Sequence, residues 1–205
     1  MAPHLVLFAG VNGAGKTTFF RSGLWTYGAP EAMARVNADE LLVQAGGSWQ
    51  SERDQIRAGR AAVELTHRLL AARTSFNQET TLAGRTILRT LHQAQELGYR
   101  TSLFYLDVAS PEIAQARVAH REAVGGHGVD PEVVCRRWHR SRENFRRALG
   151  IVDEAFLYDN THDLTLVARF ERGRDPVSYP RRYDVGWLRE EHTAEGLSEG
   201  LWTPA

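Results

Sequence analysis

Apolar residues fall in this chain in two kinds of stretch. Some form short unbroken runs, others recur three and four positions apart, and the two kinds alternate. The first run, His4-Leu5-Val6-Leu7-Phe8-Ala9, has the length and uniform apolarity of a strand buried on both faces. A helix is predicted from Lys16 to Ser22, then a turn cluster, Thr26-Tyr27-Gly28-Ala29-Pro30, and a short strand over Met33–Asn37. Gly46-Gly47-Ser48 reads as a loop. From Glu52 to Ala72, Ala58, Ala61, Ala62, Leu65, Leu69 and Ala72 keep helical spacing. Ser75–Thr81 is a strand with a polar end. Ile87, Leu88, Leu91 and Ala94 mark the next helix, which Gly98 stops. Arg100–Asp107 is a buried strand. Ser110-Pro111-Glu112 and Asp130-Pro131-Glu132 each carry the cap-then-proline signal that opens a helix, with the loop Gly125-Gly126-His127-Gly128 between them. Ala155–Tyr158 is a last core strand and Leu164–Phe170 an edge strand.

Strands alternating with helices predict an α/β domain whose mostly parallel sheet is flanked by helices on both faces. That domain is expected over residues 1–172. Residues 173–205 hold Pro176, Pro180, Pro204, Trp187 and Trp202 without a period, and are expected as a tail packed on the domain with one short helix near Trp187. Trp138 and Phe145, seven apart, are expected to bury their helix against the sheet, and Cys135 to pack on it.

Composition narrows the class. The 205 residues carry 25 Lys plus Arg and 25 Asp plus Glu, a formal net charge of zero. This argues against bulk binding to nucleic acid or to an anionic membrane. A single cysteine rules out an internal disulfide framework. No apolar run has spanning length and no signal-peptide pattern opens the chain, so a cytoplasmic protein is expected.

The chemistry is announced by Gly10-Val11-Asn12-Gly13-Ala14-Gly15-Lys16-Thr17, the G-x-x-x-x-G-K-[ST] pattern of a P-loop. It lies between a predicted strand and a predicted helix, the context the motif requires. Its glycines let backbone N–H groups turn toward phosphate oxygens, Lys16 adds a point charge and the Thr17 hydroxyl faces Mg²⁺. Gly10, Asn12, Gly13, Ala14, Gly15, Lys16, Thr17 and Thr18 are therefore expected on the phosphates of ATP or GTP, within a three-layer P-loop NTPase fold.

Ligands of such folds sit beyond the carboxyl ends of the strands. Asp39, just past the second strand, is the candidate base that orients an attacking hydroxyl; it also fits as a helix N-cap, and the two roles are compatible. Glu79 is a candidate for Mg²⁺, through a bound water, or for substrate hydroxyls. Asp107 ends an apolar strand as a metal-holding aspartate would, or caps the next turn. Arg117 and Arg121 share one helix face, and Arg136 and Arg140 share one on the next helix, with Arg137 beside them. Helix, glycine loop, arginine helix predicts a closing lid over about residues 117–147 that brings guanidinium groups to a transferring phosphoryl. His127, in the glycine loop, reads equally well as a phosphate or substrate contact and as an exposed side chain.

Taken in order, Gly10–Thr17, Asn37-Ala38-Asp39-Glu40, Glu79-Thr80-Thr81-Leu82, Gly125–Val129, Arg136–Ser141, Asn144-Phe145 and Tyr158-Asp159-Asn160 resemble the zeta toxin family of P-loop kinases. The resemblance covers about residues 4–170 and is closest to short stand-alone bacterial members, also called predicted ABC-type ATPases. It implies a phosphotransferase using ATP or GTP with Mg²⁺ on a hydroxyl of a small molecule, a nucleotide sugar such as UDP-N-acetylglucosamine. It also implies that Asp39 is the catalytic base, that Glu79 and Thr81 contact substrate, and that lid arginines (Arg117, Arg121, Arg136, Arg140) grip phosphate, and it suggests an antitoxin as protein partner. Where the known toxins carry an arginine this chain has Ala83, with Arg85 as the nearest replacement. The alternatives are a polynucleotide kinase and a nucleotide-sensing ATPase without transfer activity.

Overall fold

The central strand is the first one. In the computed structural model, which describes residues 2–26, 33–172, 177–178 and 186–188, β1 (His4–Ala9) is flanked by β3 (Phe76–Thr80) and β4 (Arg100–Asp107), both parallel to it. β2 (Ala34–Val36) pairs with β3 and β5 (Glu154–Asp159) with β4, again in parallel. The sheet order is β2-β3-β1-β4-β5-β6-β7. β6 (Thr165–Glu171) runs antiparallel to β5, and the two-residue β7 (Val177–Ser178) runs antiparallel to β6. The expectation of β6 as the edge is corrected: β7 lies outside it. Every residue of β1 is buried because both sheet faces are covered, as its unbroken apolarity demands.

One face packs Leu5, Leu7, Phe76, Leu103 and Leu157 against α3 (Glu52–Ala71) and α4 (Arg85–Glu96). The other packs Val6, Phe8, Phe104 and Leu106 against α1 (Lys16–Ser22) and α5 (Pro111–Ala123). α6 (Pro131–Leu149) serves both: Trp138 belongs to the second face and Phe145 to the first. It crosses between them past the carboxyl end of β4. There the Tyr105 hydroxyl donates to Ser141 Oγ at 3.0 Å and Trp138 Nε1 donates to the Val108 carbonyl at 3.0 Å.

The helix boundaries follow local chemistry. Gly98 has φ +69° just past α4, the left-handed stop its position predicts. Asp130 caps α6, accepting from the N–H groups of Glu132 and Val133. α2 (Ala38–Gln44) is capped by Asn37, whose Oδ1 accepts from Asp39 N at 2.9 Å. Asp39 therefore is not the cap; an asparagine two positions earlier already does that work. A 3₁₀ turn forms at Gly186–Leu188, and Trp187 packs on Tyr105 and Phe145. The rest of the expected tail, and most of the turn cluster after Thr26, lie outside the described residues.

Candidate functional site

Gly10 leaves β1 at φ +141°, where a Cβ would lie 2.2 Å from the Leu106 carbonyl oxygen of the neighbouring strand. Only glycine lets the chain turn that close. Ala14 N then closes a turn on the Val11 carbonyl at 3.1 Å. At Gly15, φ +93°, a Cβ would meet Asn160 Nδ2 at 2.3 Å; that amide instead donates to the Ala14 carbonyl at 2.8 Å. Asn160 stands at the end of β5, so the loop is braced from two strands away.

Lys16 is buried and its amine donates to the Val11 carbonyl at 3.1 Å. Burial pushes its pKa down, the nearby Arg121 and Arg137 push the same way, and the carboxylates of Glu79 and Asp39 oppose them.

Thr17 Oγ1 lies 3.1 and 3.3 Å from the two Glu79 carboxylate oxygens. Glu79 is held by a second set of donors. Arg35 Nη2 reaches Oε2 at 2.9 Å and Asn37 Nδ2 reaches the same oxygen at 3.0 Å. Arg35 is itself fixed on Glu40 at 2.7 Å and Asn77 at 3.0 Å, with its guanidinium 3.6 Å above the Phe20 ring. The Thr17–Glu79 pair offers two hard oxygens side by side, a donor set that suits Mg²⁺, which takes one or two protein oxygens and leaves its other positions to water and phosphate. Among the described residues no group of three or more His, Cys, Asp or Glu is arranged to hold a metal alone.

The glycine loop after α5 folds back over this site. The His127 ring stacks on Trp49, centroids 4.0 Å apart and 14° from parallel. Arg121 donates to the His127 carbonyl and, through Nη2, to His127 Nε2, both at 3.1 Å. Because a guanidinium only donates, Nε2 accepts and the imidazole is neutral. Asp39 Oδ2, 3.6 Å from the same nitrogen, favours the charged form. Burial and Arg121 outweigh it, and the His127 pKa is lowered.

Lys16, Thr17, Asp39, Glu79, Arg121 and His127 are thus brought together as the sequence predicts. Other expected residues are placed elsewhere. Arg117 donates to the Thr161 carbonyl at 2.9 Å. Arg136 and Arg140 are exposed on α6, and it is Arg137 that reaches the P-loop, donating to Asn12 Oδ1 at 2.9 Å. One residue along a helix is a turn of about 100°, enough to exchange the two. Arg85 is exposed at the start of α4, Thr18 is exposed on α1, and Thr81 is half-buried past the end of β3. Asp107 is buried and held by Arg142 through Nε at 3.2 Å and Nη2 at 2.8 Å, so its carboxylate is engaged in anchoring α6 rather than capping the next turn. Arg35, Asn160 and Trp49 were not predicted. Arg35 had a signal: it is the one charged residue of the short strand Ala34–Val36, where it pairs with Asn77 on the adjacent strand.

No helix among the described residues is long and apolar enough to cross a membrane. Compared with known proteins, residues 5–148 match the family model described as AAA domain. An uncharacterised protein of Haemophilus influenzae is 29% identical over 138 residues, 67% of this chain and 94% of that one. A structure from the PezAT chromosomal toxin–antitoxin system of Streptococcus pneumoniae is similar with a TM-score of 0.62 and 20% identity, covering 82% of this chain and 72% of that chain. AvrRxo1-ORF1:-ORF2 with ATP gives 0.60 and 17%, covering 82% of this chain and 58% of the other. A chain of the Pnkp1/Rnl/Hen1 RNA repair complex gives 0.55 and 21%, covering 71% of this chain and 46% of the other. At these identities the solved structures speak to the fold, which is that of P-loop NTPases. With its P-loop near the start of the matched segment, the chain belongs to the AAA domain family of nucleotide-binding P-loop proteins.

Proposed function

We propose that this protein is a P-loop kinase that moves the γ-phosphoryl group of ATP or GTP onto a hydroxyl of a small molecule. One observation carries the reading: Asp39, spared from capping by Asn37 and with its side chain 53% exposed, has Oδ2 3.6 Å from His127 Nε2 in the loop that Arg121 holds, and its charge acts on the P-loop Lys16. A carboxylate that the helix cap does not use is suited there to accept a proton.

The chain's own residues divide the work as follows. The loop over Gly10–Gly15 and the first turn of α1, with Thr18, cradle the triphosphate, and Lys16 leaves the Val11 carbonyl to meet it. Asp39 orients the acceptor hydroxyl and takes its proton as the new O–P bond forms. The bond between the γ-phosphorus and the β,γ-bridging oxygen breaks, and its electron pair stays on the departing diphosphate. Arg121 and Arg137 stabilise charge on the equatorial oxygens, with Arg117, Arg136 and Arg140 further out on a lid spanning about residues 117–147. Thr17 and Glu79 would hold Mg²⁺, which when bound neutralises phosphate charge. Glu79 and His127, with Thr81 past the end of β3, border the acceptor. The resemblance to zeta toxins supports a nucleotide sugar such as UDP-N-acetylglucosamine as acceptor, and an antitoxin as protein partner. The solved structure from a toxin–antitoxin system is in keeping with the second.

The test is label transfer from γ-labelled ATP with Mg²⁺, with UDP-sugars, nucleosides and short RNA offered separately. Asp39→Asn is expected to lower transfer by about 10²–10⁴-fold while ATP still binds. Transfer at the wild-type rate in that variant would remove Asp39 from the mechanism. Label on RNA alone would make this a polynucleotide kinase.

A further inference from the structure

Glu79 offers its two carboxylate oxygens unequally. Oε2 accepts from Arg35 Nη2 at 2.9 Å and from Asn37 Nδ2 at 3.0 Å. Oε1 has one donor among the described residues, the Thr17 hydroxyl at 3.1 Å. We propose that Arg35 and Asn37 are positioning residues that clamp this carboxylate by one oxygen, so that only the other is left for a cation, and that this one-oxygen share selects Mg²⁺ or Mn²⁺ over Ca²⁺. The proposal rests on Thr17 and Glu79 as the metal side of the reading above; it needs no phosphoryl acceptor.

The clamp is rigid because its donors are themselves held. A carboxylate oxygen has two lone-pair directions, and on Oε2 both are taken. Arg35 also donates to Glu40 Oε1 at 2.7 Å and to Asn77 Oδ1 at 3.0 Å, and its guanidinium lies 3.6 Å above the Phe20 ring. Asn37 is buried, and its Oδ1 accepts from Asp39 N at 2.9 Å as the cap of α2. Its Nδ2 also reaches Glu40 Oε1 at 3.3 Å. The planar amide cannot turn without giving up the cap. For Glu79 to grip a cation with both oxygens, Oε2 must leave a guanidinium whose side chain is 14% exposed and a buried amide. Each would then lose an acceptor away from water, which is costly.

Cations differ in how they meet such a carboxylate. Mg²⁺ demands near-ideal octahedral geometry, takes one or two protein oxygens and leaves its other positions to water and phosphate; Mn²⁺ shares that geometry. Ca²⁺ is larger, takes about six to eight oxygens and accepts a carboxylate through both of its oxygens. The clamp withholds the second one. Arg35 also offsets much of the Glu79 charge, so the pair has little with which to hold a cation alone. The cation therefore arrives with the phosphates of the nucleotide, and the selectivity is read on nucleotide binding.

The experiment is calorimetric titration of the full chain with a non-hydrolysable ATP analogue in Mg²⁺, Mn²⁺, Ca²⁺ or EDTA. The wild type is expected to bind the Mg²⁺ and Mn²⁺ complexes about tenfold or more tighter than the Ca²⁺ complex. Asn37→Ser keeps a capping oxygen for α2 but has no N–H for Oε2, and Arg35→Lys keeps the charge but not the fork that spans Glu79, Glu40 and Asn77. Each should bring the ratio of Mg²⁺ to Ca²⁺ affinity down to about threefold or less, chiefly by tightening the Ca²⁺ complex. A merely structural role would weaken binding alike in every salt and leave the ratio where it was, which overturns the proposal. So does a wild type that treats Mg²⁺ and Ca²⁺ equally, or binding as tight in EDTA as in Mg²⁺. Label transfer from γ-labelled ATP is followed alongside. Selectivity that relaxes in both variants, with no transfer to any acceptor offered, sinks the kinase reading and leaves the clamp standing. Transfer to a hydroxyl with an unmoved cation ratio does the reverse.

Discussion

His4 shows how much one side chain can disclose. It opens the central strand, is buried, and its Nε2 lies 2.8 Å from Ser102 Oγ. Burial holds its pKa below the ordinary imidazole value, Arg100 adds to that, and Glu154 and Asp153 pull partly the other way. Between the folded and unfolded values the folded chain binds fewer protons, so stability rises with pH there. The contribution is complete above about pH 6.5 and is lost as pH falls below it toward the lowered value. Thermal melts from pH 8 to 5 should show a falling midpoint, with a shallower slope in His4→Gln; identical slopes would assign the effect to other groups. At this scale the sequence is legible where a residue answers to its neighbours in the chain, as the P-loop glycines and Asp130 do. It is silent where the partner is distant. Arg35 meets Glu79 44 positions away, and Gln78 Oε1 is buried with no donor among the described residues reaching it.

Among the elements, α6 is the one whose sequence misleads. Its arginines read as a charge run, yet the fold gives each a different place. Arg137 reaches the P-loop, Arg142 is buried on Asp107, Arg146 donates to the Trp187 carbonyl and Arg147 pairs with Glu143. The Arg142 guanidinium also lies 3.6 Å over the Trp138 ring and 4.8 Å from the Trp187 ring. Arg142→Met takes the bidentate guanidinium away from the buried Asp107 carboxylate and is expected to cost about 3–5 kcal/mol in urea unfolding. Asp107→Leu combined with Arg142→Met should recover most of that loss; if the double variant is no more stable than the single one, the pair is not what anchors the helix. The helix itself was predictable from its cap and its apolar spacing. Its passage from one sheet face to the other was not, because a period of 3.6 tells which side is apolar and not what covers it. Trp138 and Phe145 look like one stripe and serve two cores.

At the scale of the molecule one stack links distant segments: Trp49 follows α2 in the chain and His127 follows α5, and their contact joins the glycine loop to the segment after α2. Trp49→Ala should speed amide exchange at residues 124–129 by about tenfold or more at pH 8, with β1 and β4 unchanged. Unchanged exchange in the loop would mean that Arg121 alone holds it. The α/β class, the strand count up to β6 and the positions of the loops were readable from alternation and turn signals. The lateral order of the strands was not, since parallel neighbours are chosen by crossovers that leave no local mark. That order has a consequence for the chain as it is made. β1, with residues 4–9, is synthesised before the strands it pairs with, whose first residues are Phe76 and Arg100. At about 5–20 residues/s the ribosome leaves this mostly apolar segment without a partner for seconds. The strand that carries the phosphate loop is thus also the nascent chain's most exposed hazard, and a natural place for a chaperone to hold it.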